Sequence, residues 1–418
     1  MASSRRTKAL GRRQFLHCSL CASLSALFFG CGRSDARGGS PGPVDAGGDV
    51  GAGADAGSSG CADPFVGGTM LEVLSFLNED IPLGVRFNEG LDGRLFADLT
   101  YVDRDGPVVP NERFFIRTMF PDRLVPPSPW RIDVGGLVEA PTSLTVESDI
   151  TPLSRSRGIH LLECSGNGGA AGFGMISVAE WSGVPMKELL PRLRARPEAT
   201  RVLISGFDDH SRPSAGGRST PGASWIFTFD ELESSGAFLA TEMNGEPLPP
   251  DHGQPVRLYV PGWYGCTCIK WVNEIRFVNE AEPATSQMQE FALRTHQAGI
   301  PELAREYQPA TIDQAAMPIR IEKWRLASDE IGYRVIGIMW GGSRPTDKLL
   351  FSPKRSTKVP VDVCPPQETN ATWTVWQHLW SPSAPGEYEL RMHIDDPTIR
   401  TRRLDAGYYA RTVRIDEV

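Results

Sequence analysis

From Phe114 to Glu280 the chain breaks into short β-rich runs divided by loops heavy in glycine and proline, with few stretches long enough for a regular helix. Residues 130–134, 143–146, 159–162, 201–205 and 256–260 read as strands on their β-branched content and bounding turn residues. Asn244-Gly245, directly after the run 238–243, is a strong turn signal. Pro185 suits the first turn of a helix that places Met186, Leu189 and Leu190 on one face. The expectation for this part is an α+β domain.

After about Pro309 helix-period signals vanish. Tyr388, Leu390, Met392 and Ile394 alternate with Glu389, Arg391 and His393, and 408–415 is a second strand-like run. Trp373, Trp376 and Trp380 are candidate anchors of a sandwich core. About 100 residues of short strands and turns predict an immunoglobulin-like all-β sandwich. A length of 418 residues accommodates more than one core. The net charge of −8 gives no electrostatic footprint for nucleic acid. Beyond the first 30 residues no apolar run approaches the roughly 20 residues needed to cross a bilayer.

The N-terminus has the form of an export signal: Arg5, Arg6, Arg12 and Arg13 precede an apolar run from Leu16 to Phe29. Arg12-Arg13-Gln14-Phe15-Leu16 resembles a twin-arginine signal, and Leu27-Phe28-Phe29-Gly30-Cys31 resembles a bacterial lipobox, which makes Cys31 a candidate lipid anchor. Residues 32–60 are nearly all Gly, Ala, Ser, Asp and Pro, a composition that cannot bury enough apolar surface to offset chain entropy, and read as a tether. The expected layout is a twin-arginine or lipoprotein-like signal over 1–30, a disordered tether over 31–65, a main domain over 66–310 and the sandwich over 311–418. The expected location is the periplasm or cell envelope. The twin-arginine route carries folded proteins, which directs attention to a cofactor inserted before export.

Of eight cysteines, Cys18 and Cys21 leave with the signal and Cys31 is the lipid candidate, so five remain. An oxidising compartment favours a disulfide among Cys61, Cys266, Cys268 and Cys364, with the pairing open. An odd number leaves at least one thiol for other work, and Cys164 is the candidate. Cys266-Thr-Cys268 lacks the second pair and His that zinc spacing requires, and no CxxCH haem site occurs.

Cys164 stands just past a strand in Ile159-His-Leu-Leu-Glu-Cys-Ser-Gly-Asn-Gly-Gly169, where the glycines allow backbone amides to approach a ligand closely. The stretch Leu161-Leu-Glu-Cys-Ser-Gly-Asn167 resembles the cofactor-binding Cys loop of the sulfite oxidase family of molybdenum enzymes. Two further blocks, 174–185 and 248–257 together with Val260-Pro-Gly262 and Lys270-Trp271, resemble that family's next blocks in the same order. The resemblance implies a molybdenum-molybdopterin (Moco) cofactor with Cys164 as the thiolate ligand, a soft donor suited to the metal. It also implies pterin and phosphate contacts at Asp208 (with Asp209 a one-residue alternative), His252, Arg257, Cys268, Ile269 and Lys270, a first cofactor block Phe115-Ile116-Arg117, and Arg117 as a catalytic anchor for an oxyanion.

The chain departs from the family's sulfite oxidases at Thr118-Met119, where they carry Asn-His, at Gly168-Gly169, where they carry an Arg pair, and at Phe291, which takes the place of an active-site Tyr. His210 and Arg212 are weaker substitutes for the missing cations. The resemblance implies oxygen-atom transfer: oxidation of sulfite or a related reduced sulfur compound, or reduction of an S-oxide or N-oxide in the reverse direction. The rival reading is a molybdenum-free tethered envelope lipoprotein. Expected partners are a small oxyanion or sulfur substrate, an external electron partner such as a c-type cytochrome, and a second copy of the chain joined through the C-terminal region.

Overall fold

The computed structural model describes residues 61, 63–79, 81–87, 94–102, 106–117, 127–207, 223–354, 357–366 and 368–418. The signal, the lipobox and residues 32–60 of the expected tether lie outside the described residues, whereas at the tether's end Cys61 is disulfide-bonded and Phe65 is buried. No helix among those described is long and apolar enough to cross a membrane.

Two five-stranded sheets form the front of the molecule. One has the strand order Ser224–Thr228, Arg201–Gly206, Val272–Val278, Arg131–Gly136, Thr142–Thr145, with one parallel pair between Val272–Val278 and Arg131–Gly136. The other runs Glu246–Pro247, Phe238–Met243, Ile176–Pro185, Arg155–Glu163, and Arg257–Tyr259 pairs with Phe238–Met243. Each predicted strand of this region appears; Arg131–Gly136, Arg155–Glu163 and Arg201–Gly206 are longer than expected, and Arg257–Tyr259 is shorter. Asn244 and Gly245 both take positive φ, 54° and 76°, and close the hairpin between Phe238–Met243 and Glu246–Pro247. Pro185 ends its strand and caps the short helix Met186–Leu189, whose Met186 and Leu189 are buried. Helix Phe229–Ser234 is fixed by a capping box in which Thr228 and Glu231 satisfy each other's backbone amides.

Two four-stranded antiparallel sheets follow. Thr69–Leu74, Ala315–Arg325, Ile331–Trp340 and Thr374–Trp380 make one, and Thr357–Pro360, Leu349–Lys354, Gly386–Ile394 and Arg411–Ile415 the other. Their facing side chains, among them Tyr333, Phe351, Trp376, Trp380, Leu390 and Val413, form one apolar cluster. Trp376 lies so close over Gly337 that a Cβ there would stand 2.0 Å from its ring. Trp373 joins the front core instead of this one, because it falls just before the strand that carries Trp376 and Trp380. The strand expected over 408–415 begins only at Arg411, and the residues before it turn toward the front of the molecule.

The segment from Cys61 to Glu79 packs on the C-terminal sheets although it lies far from them in sequence. Thr69–Leu74 pairs with Ala315–Arg325, Phe76 bridges Val413, Arg411 pairs with Glu79, and Cys61 is disulfide-bonded to Cys364 across 303 residues. The pairing left open by sequence is thus Cys61–Cys364, with Cys164, Cys266 and Cys268 free. Cross-linking a loop of that length stabilises by about 3–5 kcal/mol through the unfolded chain. Cys61→Ser is therefore expected to lower the unfolding midpoint. Hydrogen exchange should quicken first in Thr69–Leu74; unchanged protection there would contradict the docking role of the bond.

Candidate functional site

Several chain turns at strand ends converge on a cavity of about 280 Å³. Cys164 follows the last residue of Arg155–Glu163. Its amide donates to the Met175 carbonyl at 2.9 Å, and its own carbonyl accepts from the Asn167 amide at 2.9 Å. This tight turn presents the thiol to the cavity. The turn Gly265–Thr267 packs against it so closely that a Cβ on Gly265 would lie 3.2 Å from the Glu163 carbonyl oxygen, which brings Cys266 into the lining.

Phe115 and Arg117 line the cavity, and Ile116 is buried between them without lining it. His252 closes the turn Pro250–His252, and Gly253 follows at φ 108°, where a Cβ would stand 3.1 Å from that of Lys270 and 3.2 Å from that of Arg257. Only glycine meets both constraints. Arg257 donates to the carbonyls of His252 at 3.1 Å and Cys268 at 3.2 Å. Lys270 donates to the carbonyls of Asp251 at 2.9 Å and Arg117 at 3.3 Å. It also lies 4.6 Å from the ring centroid of Trp271, a buried residue at φ 52°. A bulky side chain in the left-handed region costs strain, and here it turns the chain from Lys270 into the strand Val272–Val278. Cys268, Ile269 and Lys270 all line the cavity. Asp208 lies outside the described residues, as do Thr118, Met119, Asp209, His210 and Arg212.

Burial governs the electrostatics. It pushes the Cys164 thiol up, and the Gly166 amide and Arg117 pull it partly back. It holds His252 neutral, well below the ordinary imidazole value, with Arg257, Lys270 and Arg86 acting in the same direction. It raises Asp251, which Arg86 and Lys270 oppose, Arg86 as its ion-pair partner. Cys266 is pushed up to about 12 by burial and stays a thiol.

The support of the Cys164 loop was not legible in sequence. Glu163, fully buried, accepts from Arg402 at 2.5 Å, Tyr409 at 2.7 Å, Trp340 at 2.8 Å and Asn167 at 3.3 Å. Burial disfavours the Arg402 charge, yet Glu163, Tyr409, Tyr264 and Tyr408 hold that guanidinium above its ordinary value. Arg402 also donates to the Asn167 carbonyl at 2.8 Å, as does the Tyr408 hydroxyl at 2.8 Å. A Cβ on Gly168 would meet that hydroxyl at 2.9 Å, so the place of one expected cation is closed by a tyrosine. On the remaining wall stand Ala223, Gln287, Glu290 and Phe291, with Gln287 donating to the Cys266 carbonyl.

The residues fit an anionic cofactor with a soft metal. Arg117 Nη1 and Arg257 Nε are buried donors on lining side chains and have no protein partner. An unmet buried donor of this kind costs about 1–3 kcal/mol, more when charged, and a phosphate or pterin oxygen would satisfy it. A thiol presented beside these cations is the kind of soft donor that such a metal takes.

Comparisons with known proteins agree. Residues 119–286 match the family model described as an oxidoreductase molybdopterin binding domain. Over 164 residues the chain is 35% identical to the catalytic subunit of a protein-methionine-sulfoxide reductase from Xanthomonas axonopodis pv. citri, covering 38% of this chain and 48% of that one. Over 187 residues it is 30% identical to an NADH nitrate reductase from Phaseolus vulgaris, covering 42% of this chain and 21% of that one. The chain thus spans less than half the length of these curated relatives. Its fold is similar to that of the sulfane dehydrogenase SoxCD from Paracoccus pantotrophus, with a TM-score of 0.57 at 19% identity, over 88% of this chain and 96% of that one. With a cavity lined by Cys164, Arg117, Arg257 and Lys270, residues 119–286 match an oxidoreductase molybdopterin binding domain, and the chain is similar to molybdopterin-dependent oxidoreductases.

Proposed function

We propose that this chain is an exported enzyme that transfers an oxygen atom at a sulfur centre, working as a reductase of small S-oxides. The observation that carries the direction is the substrate wall. Phe291 lines the cavity where the family's sulfite oxidases carry a phenol, Tyr408 closes the space at Gly168, and the Glu290 carboxylate stands on the lining. Sulfite is a small dianion that depends on several charge-assisted hydrogen bonds. A neutral S-oxide needs one good donor to its oxygen and an apolar wall for its substituents. Arg117 provides the first, and Phe115, Ala223 and Phe291 the second.

When bound, the cofactor supplies the two-electron chemistry of oxygen-atom transfer. Cys164 contributes the thiolate ligand. Arg257 and Lys270, with the glycine backbone at 253, hold the cofactor's anionic end, and His252, kept neutral, packs against it without adding charge. Arg117 orients the substrate oxygen. The balanced reaction converts an S-oxide, two electrons and two protons to a sulfide and water. An external one-electron carrier, such as a c-type cytochrome, connects the site to its electron source. Residues 311–418 are proposed as an immunoglobulin-like dimerisation domain, and Cys31 as a lipid anchor after twin-arginine export to the periplasm.

A second reading, oxidation of a reduced sulfur anion, draws on the unpartnered buried Nη1 of Arg117, a ready oxyanion donor. One assay separates the two. With molybdenum-replete protein, dimethyl sulfoxide or methionine sulfoxide is expected to reoxidise a reduced viologen dye, while sulfite reduces ferricyanide at least tenfold more slowly. Fast sulfite oxidation with no S-oxide turnover would reverse the assignment. If Glu290 repels anions, Glu290→Gln should lower the KM for sulfite several-fold with little change in kcat; an unchanged KM would remove Glu290 from the argument. For the cofactor itself, Arg257→Ala removes a buried charged contact worth about 2 kcal/mol, roughly thirtyfold in affinity. Molybdenum per chain, measured by mass spectrometry, should fall accordingly. Full molybdenum content in that variant would place the phosphate elsewhere.

A further inference from the structure

Residues 81–87 line none of the cavity, yet they touch three of the elements that form it. At one end Leu83 packs on Gly172, the residue that ends the turn Gly169–Ala171 beyond Cys164, so closely that a Cβ there would stand 3.0 Å from Leu83 Cδ2. At the other end the Arg86 guanidinium pairs with the Asp251 carboxylate of the turn Pro250–His252. The strand Arg86–Phe87 pairs with Arg94–Leu95, which pairs in turn with Ile116–Arg117. The cysteine loop, the Arg117 strand and the His252 turn are thus joined across one short strap.

The strap itself is lightly held. Pro82, Gly84, Val85, Arg86 and Phe87 are exposed, and a segment with so little burial has low local stability. Asp251 is the opposite case: it lines the cavity, and its side chain keeps 7% of its surface exposed against 44% for Arg86. A buried carboxylate is costly unless it is paired, and this one stands in a wall that also carries Arg257 and Lys270. Its ion-pair partner is Arg86 on the strap, while Lys270 donates to its backbone carbonyl at 2.9 Å. With the strap docked the carboxylate is neutralised and the wall is positive. With the strap lifted an uncompensated negative charge faces the anion site. Docking of the strap and binding of an anion therefore favour each other, and by linkage the coupling is reciprocal.

We propose that residues 81–87 form a clasp, fastened by Arg86 on Asp251, that retains the anionic cofactor and is in turn held down by it. Arg86 is a positioning residue, acting through Asp251 and not by contact with the cofactor. The inference rests on the assignment of the cofactor's anionic end to Arg257 and Lys270 made above.

The test uses the full-length protein. Hydrogen exchange in peptides spanning 81–87 is compared between the loaded and cofactor-free forms, and the molybdenum retained by loaded protein after timed incubation and gel filtration is measured by mass spectrometry. Exchange is expected to be slower in the loaded form. Arg86→Gln should abolish that difference and speed the release of molybdenum roughly fivefold or more, the low end of ordinary coupling between two sites. Arg86→Lys, which keeps the charge, should restore most of the retention. In an Asp251→Asn background no carboxylate needs neutralising, so Arg86→Gln should change the release rate little; a merely structural arginine would act equally in both backgrounds. The release rate needs only loaded protein and decides even where the cofactor-free chain does not fold. Equal exchange in the two forms, an unchanged release rate in Arg86→Gln, or an effect as large in the Asp251→Asn background would overturn the clasp. Loss of molybdenum in Arg257→Ala with unchanged release in Arg86→Gln strikes the clasp alone, whereas full molybdenum in both removes the anion site and the clasp with it.

Discussion

The buried carboxylate of Glu163 is the constraint on which the rest of the structure depends. An ionised group with no exposure survives only if its lone pairs are met, and here Arg402, Tyr409, Trp340 and Asn167 meet them. Removing one partner of such a pair typically costs about 3–5 kcal/mol, because the other charge is left unpaired. Glu163 immediately precedes Cys164. Three of the partners that hold it, Trp340, Arg402 and Tyr409, come from near residues 340 and 400, so the cysteine loop is positioned by chain far downstream. The front core records the same dependence, since Trp340, Trp373, Leu404 and Tyr409 belong to it.

Around that anchor the charges divide by task. Arg402 and Arg294 face the outer side of the cysteine turn, where they grip backbone carbonyls. Arg117, Arg257 and Lys270 face the cavity, where two buried donor nitrogens still await acceptors. Lys270 and Arg257 are in turn spaced by Gly253, and the strained Trp271 holds the lysine against its ring. Positive groups thus line the cofactor's expected anionic end, while the substrate wall carries a carboxylate and a phenylalanine. This separation is the ground on which a neutral substrate is proposed beside an anionic cofactor.

Much of the site was legible because its determinants are local. The glycines around Cys164, the run Cys268-Ile269-Lys270 and the glycine after His252 each announce a turn that brings backbone to a ligand, and eight of the ten expected site residues line the cavity or its turns. Ile116 is buried beside it, and Asp208 falls outside the described residues. The Asn244-Gly245 hairpin was equally local. What escaped was long-range. Nothing near Glu163 points to Arg402, and Tyr408 and Tyr409 continue a strand-like pattern although they leave the strand to reach the cysteine loop. Docking of Thr69–Leu74 on a sheet some 250 residues downstream is likewise invisible to periodicity. Trp373 shows the same limit, since a residue's spacing along a strand does not say which of two cores receives it.

The claim that organises the account is that Cys164 binds molybdenum. Molybdenum-edge X-ray absorption on wild type and Cys164→Ser, each loaded with cofactor, measures the sulfur neighbours per metal directly. The account predicts one sulfur fewer in the variant. An identical sulfur count in the two proteins would contradict it.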